Sequence, residues 1–480
     1  MTTTGILAFG AYVPRLRLQR SAIAAANNWF APNLKGLAKG EKAIANWDED
    51  AITMAVEAAR DCLGDSDRAA VANISLASTT LPYADRLNSG IIKEALLLSD
   101  HVAASDQGGS MRAATSALVQ ILQSRATHLL LASDLRKARP ASEGEMLQGD
   151  GAAALLLGAG AHVIARHLGS HSLTIDFIDH YRANGEDFDY GWEARWIRDE
   201  GYSKIIGQGL REALQKMGVT GADIAHAIIP IAVRGVAGSL AKKAGIADSA
   251  VADVLQATIG DTGVAHPLLM LAATLEKAKP GEKILLTGFG QGVDVLLFEV
   301  TEAITRLPAR QAVAGWLARG KADSNYMRYL FHRGLVDLER GMRAEFDQKQ
   351  PGTTLYRQRK AVLGLVGGRC TKTGTVQFPK TQISVNPNDH AVGTQEDYPL
   401  AERRARVFTY TADSLTYCPS PPQFYGAVDF EGGGRLTTEF TDCDAQDIEV
   451  GREMRMMFRI KGVDDMRHFT KYFWKAVPVA

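Results

Sequence analysis

A small set of side chains in this sequence has both the type and the spacing for proton transfer. His266, in the stretch GDTGVAHP, lies about one helical turn after Asp261, a spacing at which a carboxylate can orient an imidazole for acid–base work. The same pair also reads as a histidine at a helix start with Asp261 satisfying backbone amides. Asp85, just after Pro82 and Tyr83, is a second acid or base candidate, with an Asp85–Arg86 surface pair as the plainer reading. Ser110 stands where an apolar helix pattern begins, so its hydroxyl either bonds a substrate or caps the helix. His180 belongs to an aromatic, charged segment, FIDHYRANGEDFDYGWEARWIRDEGY (177–202), which reads as a cap over a cleft or as a surface helix pair. GDGAAALLLG (149–158) and GFGQG (288–292) are glycine turns between apolar runs. Gly290 and Gly292 would let backbone amides approach a ligand oxygen, as oxyanion recognition requires, and suit a tight turn equally well. Neither stretch fits a P-loop or dinucleotide fingerprint, so nucleotide binding is disfavoured.

The elements that must position these groups come in two similar sets. A helix pattern at 111–126 leads to a strand run at 127–134, then to the glycine turn and apolar run of 149–158. About 150 residues later, a helix pattern at 266–279 leads to a strand run at 283–290 and an apolar run at 291–300. Short apolar segments, VANISLAS (71–78) and AHAIIPIAV (225–233), precede the two sets. Fully apolar strands alternating with helices predict a layered α/β fold whose strands are buried on both faces. A further helix over EDAITMAVEAARDCL carries Ile52, Val56, Ala59 and Leu63 on one stripe, with Asp48 as its expected cap and Cys62 as a buried thiol. After Glu302 the texture changes. The segment 303–356 reads as a polar helical linker, and 357–480 as short strands with turn signals, the pattern of a small oligomer-binding-type β-barrel.

Composition bounds the rest. The 480 residues include 54 basic and 54 acidic side chains, so no net basic field recruits nucleic acid or an anionic membrane. Four cysteines are too few and too scattered for a disulfide framework. The first residues lack the form of a signal peptide and no long apolar run occurs, so the expectation is a soluble cytoplasmic protein.

Together, GAYVPRLRL (10–18), EKAIANWDEDAITMAVEAA (41–59), ASTTLPYADR (77–86), GDGAAALLLG and IGDTGVAHPLLMLA (259–272) resemble the thiolase superfamily. The branch is that of hydroxymethylglutaryl-CoA synthase and ketoacyl synthase III. GGRCTKTGTVQFP (367–379), VDFEGGGRLTTEFTDCD (428–444) and YFWKAVPV (472–479) resemble the zinc-ribbon plus oligomer-binding-fold module that accompanies acyl-CoA thiolases. The resemblance implies a duplicated five-layered thiolase fold, with an N-terminal half at 1–165 and a C-terminal half at 166–302. A degenerate zinc ribbon plus a β-barrel follows at 357–480.

The resemblance also locates the family's reactive groups, and this chain departs from each. The nucleophilic cysteine falls on Met111, the histidine on Pro230, the asparagine on Asp261 and the synthase glutamate on Thr79. A thioether cannot become a nucleophilic thiolate. Aldol or retro-aldol chemistry on a CoA thioester, however, needs an acid or base and amide dipoles for the enolate, and no acyl-enzyme. The expected catalytic groups are therefore His266, Asp85, Ser110 and Asp261, with Met111, Gly290, Gly292 and His180 facing substrate. The zinc positions read Cys370, Thr373, Ser384 and Asp389, a poor donor set, so no zinc is expected. Two readings stay open: a carbon–carbon bond-forming or -cleaving enzyme on acyl-CoA, and a catalytically inactive thiolase-like subunit serving an active partner. The resemblance implies a homodimer or larger homo-oligomer, with no nucleic-acid or membrane partner.

Overall fold

The computed structural model describes residues 4–339, 351–465 and 467–479, and the chain divides into two compact units. The first comprises Met1–Asn46, Asp50–Gly90 and Ser99–Arg333; the second comprises Trp47–Glu49, Ile91–Leu98 and Gly334–Ala480.

Nine strands build the large sheet of the first unit: β1 (Thr4–Tyr12), β2 (Asn73–Ala77), β3 (Ala103–Gln107), β4 (His128–Asp134), β5 (Gly151–Ala159), β6 (Ala165–Thr174), β7 (His226–Ile228), β8 (Lys283–Phe289) and β9 (Gly292–Val300). They lie in the order β7-β8-β9-β6-β1-β5-β4-β2-β3. From β1 outward the first half runs β1-β5-β4-β2-β3, its successive pairings being antiparallel, antiparallel, parallel and parallel. From β6 outward the second half runs β6-β9-β8-β7, antiparallel, antiparallel and parallel, and a parallel bridge from Ala227 to Val251 follows. The expected duplication is therefore present in topology as well as in sequence. β1 and β6 join the halves through Gly5–Arg166 and Ile6–Ala165.

Why these segments form buried strands follows from their composition. Leu129–Asp134 and Gly151–Gly158 are buried throughout, which continuous apolar runs allow and alternating ones would not. Helix α1 (Ala51–Leu63) packs close on β1, because Gly10 offers no side chain: a Cβ there would lie 2.2 Å from the Cys62 amide nitrogen. The cap of α1 is Asp50, not the expected Asp48. Asp50 accepts from the Thr53 amide at 2.9 Å while the Asp50 amide donates to the Thr53 hydroxyl at 2.8 Å, a reciprocal capping box. Cys62 is buried, as expected, and burial pushes its thiol up to about 12. Residues 303–333, expected within a helical linker, fold with the first unit. They form a short helix at Ala312–Ala318, a strand Lys321–Asp323 paired with Leu16–Leu18, and a helix at Tyr326–His332. The remainder of that expected linker at 340–350 lies outside the described residues.

Two further helices, α2 (Ala113–Ile121) and α3 (His266–Leu275), occupy matching places in the two halves. α2 is tied to the second half by Asp294 of β9. This buried carboxylate accepts from Arg112 Nη1 at 2.8 Å, the Thr115 hydroxyl at 3.0 Å, the Ser116 hydroxyl at 2.7 Å and the Ser172 hydroxyl at 2.7 Å.

The second unit contains a three-stranded ribbon (Val366–Cys370, Val376–Gln377 and Gln395–Pro399) and an antiparallel sheet of five strands. The sheet's strands are β10 (Ala405–Asp413), β11 (Gln423–Phe430), β12 (Arg435–Glu439), β13 (Glu453–Asp464) and β14 (Phe469–Pro478), in the order β12-β11-β10-β13-β14. The outer strands meet again, where Thr438 donates to the Trp474 carbonyl at 2.7 Å and Phe440 bridges to Ala476. This closure gives the expected barrel-like form and removes exposed strand edges. Inside the unit, Lys475 reaches Asp48 at 3.0 Å and Glu439 at 2.9 Å, and Arg459 reaches Asp442 at 2.9 Å, so each buried charge is paired. Among the described residues, no helix is long and apolar enough to cross a membrane.

Replacing Asp294 by Ala removes the buried carboxylate that neutralises Arg112 and gathers three hydroxyls. A loss of about 3–5 kcal/mol is expected, read as a lower denaturation midpoint, because removing one member of a buried pair strands the other.

Candidate active site

A cleft of about 720 Å3 opens in the first unit where the two halves meet. Its wall includes Thr79, Ser110, Met111, His180, Arg182 and Gln291. The start of α2 and the β8–β9 turn form its floor by an unusually close approach. A Cβ on Gly290 would lie 2.7 Å from the Ser110 hydroxyl and 3.1 Å from the Met111 amide nitrogen, so only glycine lets these backbones pass. The Ser110 hydroxyl donates to the Gly290 carbonyl at 2.9 Å, and Arg112 Nε donates to the same oxygen at 2.8 Å. Between the two glycines, Gln291 holds a left-handed φ of 49°, a conformation that non-glycine residues adopt at a cost. The amides of Met111 and Gln291 have no acceptor among the described residues.

Above this floor stands the Asp179–His180 pair. His180 Nδ1 lies 3.1 Å from Asp179 Oδ2, and Asp179 is itself buried and within 3.4 Å of the Gln291 side-chain amide. Burial disfavours the charged imidazole, but the Asp179 carboxylate, with Asp189 behind it, outweighs that and raises the His180 pKa; Arg136 works against it. The segment carrying the pair is a short two-stranded ribbon, His180–Tyr181 with Tyr190–Gly191, followed by the helical stretch Ala194–Ile206. Trp196 stacks on Phe177 at 4.2 Å and anchors it. From this segment Ile178, residues 180–186 and Asp189 line the cleft.

A second set of interactions fixes the loops around Met111. Asp134, at the end of β4, is fully buried and accepts from the Thr79 amide at 2.7 Å, the Val264 amide at 2.9 Å, and the hydroxyls of Ser78, Thr79 and Thr80 at 3.0–3.1 Å. It pins the 78–80 loop to the loop before α3. Thr79 therefore spends its hydroxyl as a donor to Asp134. Arg182, paired with Asp189 at 3.1 Å, donates to the Thr79 carbonyl. Arg136 ion-pairs with Asp261 at 3.0 Å. Burial would raise the Asp261 carboxyl, but Arg136, aided by His266, holds it down at about 2. The same neighbourhood contains the Met111 methyl, 3.1 Å from where a Cβ on Gly263 would stand.

The geometry sorts the residues expected from sequence. Ser110, Met111, Gly290 and His180 come together at the cleft, and Asp261 lies behind Met111 in the Arg136 pair. Gly292 has a different reason to be glycine: a Cβ there would meet the Leu173 carbonyl at 2.0 Å, so it serves the contact of β9 with β6. His266 does not line the cleft and forms no hydrogen-bonded pair with Asp261. Its Nε2 is 3.0 Å from the Val254 carbonyl and its Nδ1 is 3.3 Å from Thr262, so both ring nitrogens are engaged. Burial lowers its pKa despite Asp261, which fits a neutral histidine bracing the loop that holds Asp261. Asp85 is exposed and outside the cleft wall. Sequence reasoning missed Asp179, Arg136, Asp134 and Gln291. Asp179 was visible as the residue beside His180, whereas Arg136 sits in a charged run, SDLRKAR, that gives no sign of burial.

In the second unit the fit to a metal fails on donor chemistry. The Cys370 thiol lies 3.1 Å from the Thr394 hydroxyl, and hydrogen bonds from Thr373 and then Thr394 lower its pKa to about 6. Thr373 bonds to Thr375 at 2.9 Å, and Asn386 bonds to Thr375 at 2.8 Å. Hydroxyl and amide bonds thus join the loops where a tetrahedral zinc would need four strong ligands.

Comparison with known proteins places this geometry in context. The profile of the 3-oxoacyl-[acyl-carrier-protein] synthase III C-terminal family matches residues 214–296, and that of the ChsH2 C-terminal OB-fold domain matches 398–459. The hydroxymethylglutaryl-CoA synthase of Methanosarcina mazei is 30% identical over 349 residues, covering 70% of this chain and 99% of that protein. The synthase of Archaeoglobus fulgidus is 30% identical over 342 residues, covering 68% and 98%. Among solved structures, an HMG-CoA synthase complexed with CoA superposes with a TM-score of 0.59 at 21% identity, over 73% of this chain and 95% of that one. The 3-oxoacyl-(acyl carrier protein) synthase III of Pseudomonas aeruginosa superposes at 0.55 and 18% identity, over 62% and 98%.

The Asp179–His180 pair makes a titration prediction. Because the folded pKa of His180 is raised, the pair's stabilisation is complete below the unfolded value of about 6.5 and is lost as pH rises through the folded pKa. Asp179→Asn should lower the His180 pKa, read from its ring proton shifts by NMR; an unchanged titration would contradict the pairing.

Proposed function

The chain belongs to the hydroxymethylglutaryl-CoA synthase family of the thiolase superfamily, and we propose that it makes or cleaves a carbon–carbon bond in an acyl-CoA thioester by non-covalent aldol or retro-aldol chemistry. One observation carries this reading: Met111, where the sequence resemblance puts the family's cysteine, shares its cleft with the Asp179–His180 pair. A thioether has no proton to lose and forms no acyl-enzyme, whereas a carboxylate-backed imidazole can take and return a proton.

In the cleavage direction His180 accepts the β-hydroxyl proton. The Cα–Cβ bond breaks as the carbonyl forms at Cβ, and its electron pair passes into the thioester as an enolate. The amides of Met111 and Gln291 are the groups placed to donate to the enolate oxygen; each such donor contributes about 10²–10³-fold. The proton on His180 then returns to Cα, leaving a shorter acyl-CoA and a free ketone or aldehyde. Condensation is the reverse. No electrons are gained or lost, and no co-reactant is needed. Asp179 orients the imidazole and stabilises its protonated form. Ser110 holds the Gly290 carbonyl, Asp261 keeps Arg136 neutralised behind Met111, and His266 braces that loop; these are positioning roles. Asp85 takes no part in this scheme. The aromatic cap limits water, which protects the enolate from premature protonation.

The test is turnover of a panel of β-hydroxyacyl-CoA thioesters by the purified full chain. His180→Ala should lose about 10²–10⁴-fold in kcat, the usual contribution of a general acid–base group, while Met111→Leu stays near wild type. Absence of turnover and of CoA binding would overturn the enzyme reading in favour of an inactive subunit.

A further inference from the structure

The second unit contains a cleft of about 470 Å3 that plays no part in the proposed reaction. Its wall joins the stretch 357–361 to the ribbon, and its charge is one-sided. Arg357, Arg359, Lys360 and Lys380 face a single lining carboxylate, Asp397. Asp397 is shared: Lys360 Nζ meets one oxygen at 2.9 Å and Lys380 Nζ meets the other at 2.6 Å. Arg359 lies 3.5 Å from Glu94, and Arg357 has no ion-pair partner among the described residues. With Glu94 beside Arg359 and Asp397 shared by the lysines, four cations against two carboxylates leave the wall with an excess of about two positive charges at neutral pH.

The same wall contains an orphaned amide. The side-chain nitrogen and oxygen of Gln395 are both shielded from solvent and have no hydrogen-bond partner among the described residues. The oxygen would stand 2.5 Å from a Cβ on Gly368, and the Lys380 stem crosses the same bare face. Buried amides are normally satisfied, because an unmade bond costs the full desolvation of the group. An amide left open beside a basic wall is what a ligand with both charge and hydrogen-bonding oxygens would complete.

We propose that this cleft binds a small organic phosphate with two or more phosphoryl groups, held by Arg357, Lys360 and Lys380, with Gln395 bonding a ligand oxygen. The charge decides the class. One carboxylate neutralises half of the excess, whereas a pyrophosphate unit matches it and suits the arginine fork. The cleft volume is that of a small-molecule site, and the chain's zero net charge gives no extended basic track for a nucleic acid. The lysines are available, since their exposed bonds to Asp397 are weak and exchangeable.

The proposal is independent of the first-unit cleft, and its test keeps the two apart. Titration calorimetry of the full chain with inorganic pyrophosphate, near physiological ionic strength, should give one saturable site. The Lys360→Ala/Lys380→Ala double variant should weaken it by about tenfold or more, while the thioester turnover described above is unchanged. ADP and CoA, which both carry a pyrophosphate, separate the sources. Similar sensitivity of both to the double variant assigns the pyrophosphate as the recognised group. Binding of CoA alone, no saturable binding of pyrophosphate, binding indifferent to the double variant, or equal competition by sulfate would each overturn the proposal. His180→Ala should leave pyrophosphate binding intact, so failure of the reaction scheme does not decide this one.

Discussion

The candidate site depends on a close backbone approach between the two halves of the first unit. Gly290 has no side chain, so the start of helix α2 can lie against the β8–β9 turn. That contact sets Met111, Ser110 and Gln291 together at the cleft floor. Asp294 reinforces it by collecting Arg112 and three hydroxyls onto one buried carboxylate. The duplication explains why such a seam exists: each half presents the same strand order, and the turns after matching strands converge. Asp134 then plays the complementary part, fixing the 78–80 loop and the loop before α3 around the same point. Geometry of this kind holds dipoles in place before substrate arrives, which is what electrostatic stabilisation of an enolate requires.

The fold was legible because its signals are local and repeated. Fully apolar strand runs, two glycine turns and two helix patterns in the same order suffice to indicate a duplicated α/β sheet. Ser110 and Gly290 stand at the ends of those elements, whereas Met111 comes from the family resemblance and His180 from its place in the aromatic segment 177–202. Other expectations failed for reasons that spacing cannot reveal. His266 and Asp261 are close in sequence, yet their side chains diverge, one to Val254 and Thr262 and the other to Arg136. Asp48 and Asp50 are equally plausible caps in the run WDED, and only the backbone geometry selects Asp50. Asp85 is merely exposed. Arg136 and Asp134 were overlooked because charges buried by long-range pairing look like ordinary surface charges in a one-dimensional pattern.

The second unit holds its form through hydrogen bonds and paired buried charges. Around Cys370, threonine hydroxyls and the Asn386 amide make the cross-links. These bonds are individually weak, and the barrel is held mainly by its own closure and its paired buried charges. In the first unit the proposed chemistry likewise relies on an imidazole of the cleft rather than on the side chain at position 111.

The central claim is that His180 moves a proton at the carbon next to the thioester with no acyl-enzyme. It is tested most directly by incubating the full chain with an acyl-CoA in D2O and measuring deuterium at Cα by mass spectrometry. The account predicts exchange at Cα that disappears in His180→Ala and persists in Met111→Leu. Exchange that survives loss of His180, or its absence in the wild-type chain when the thioester is bound, would contradict it.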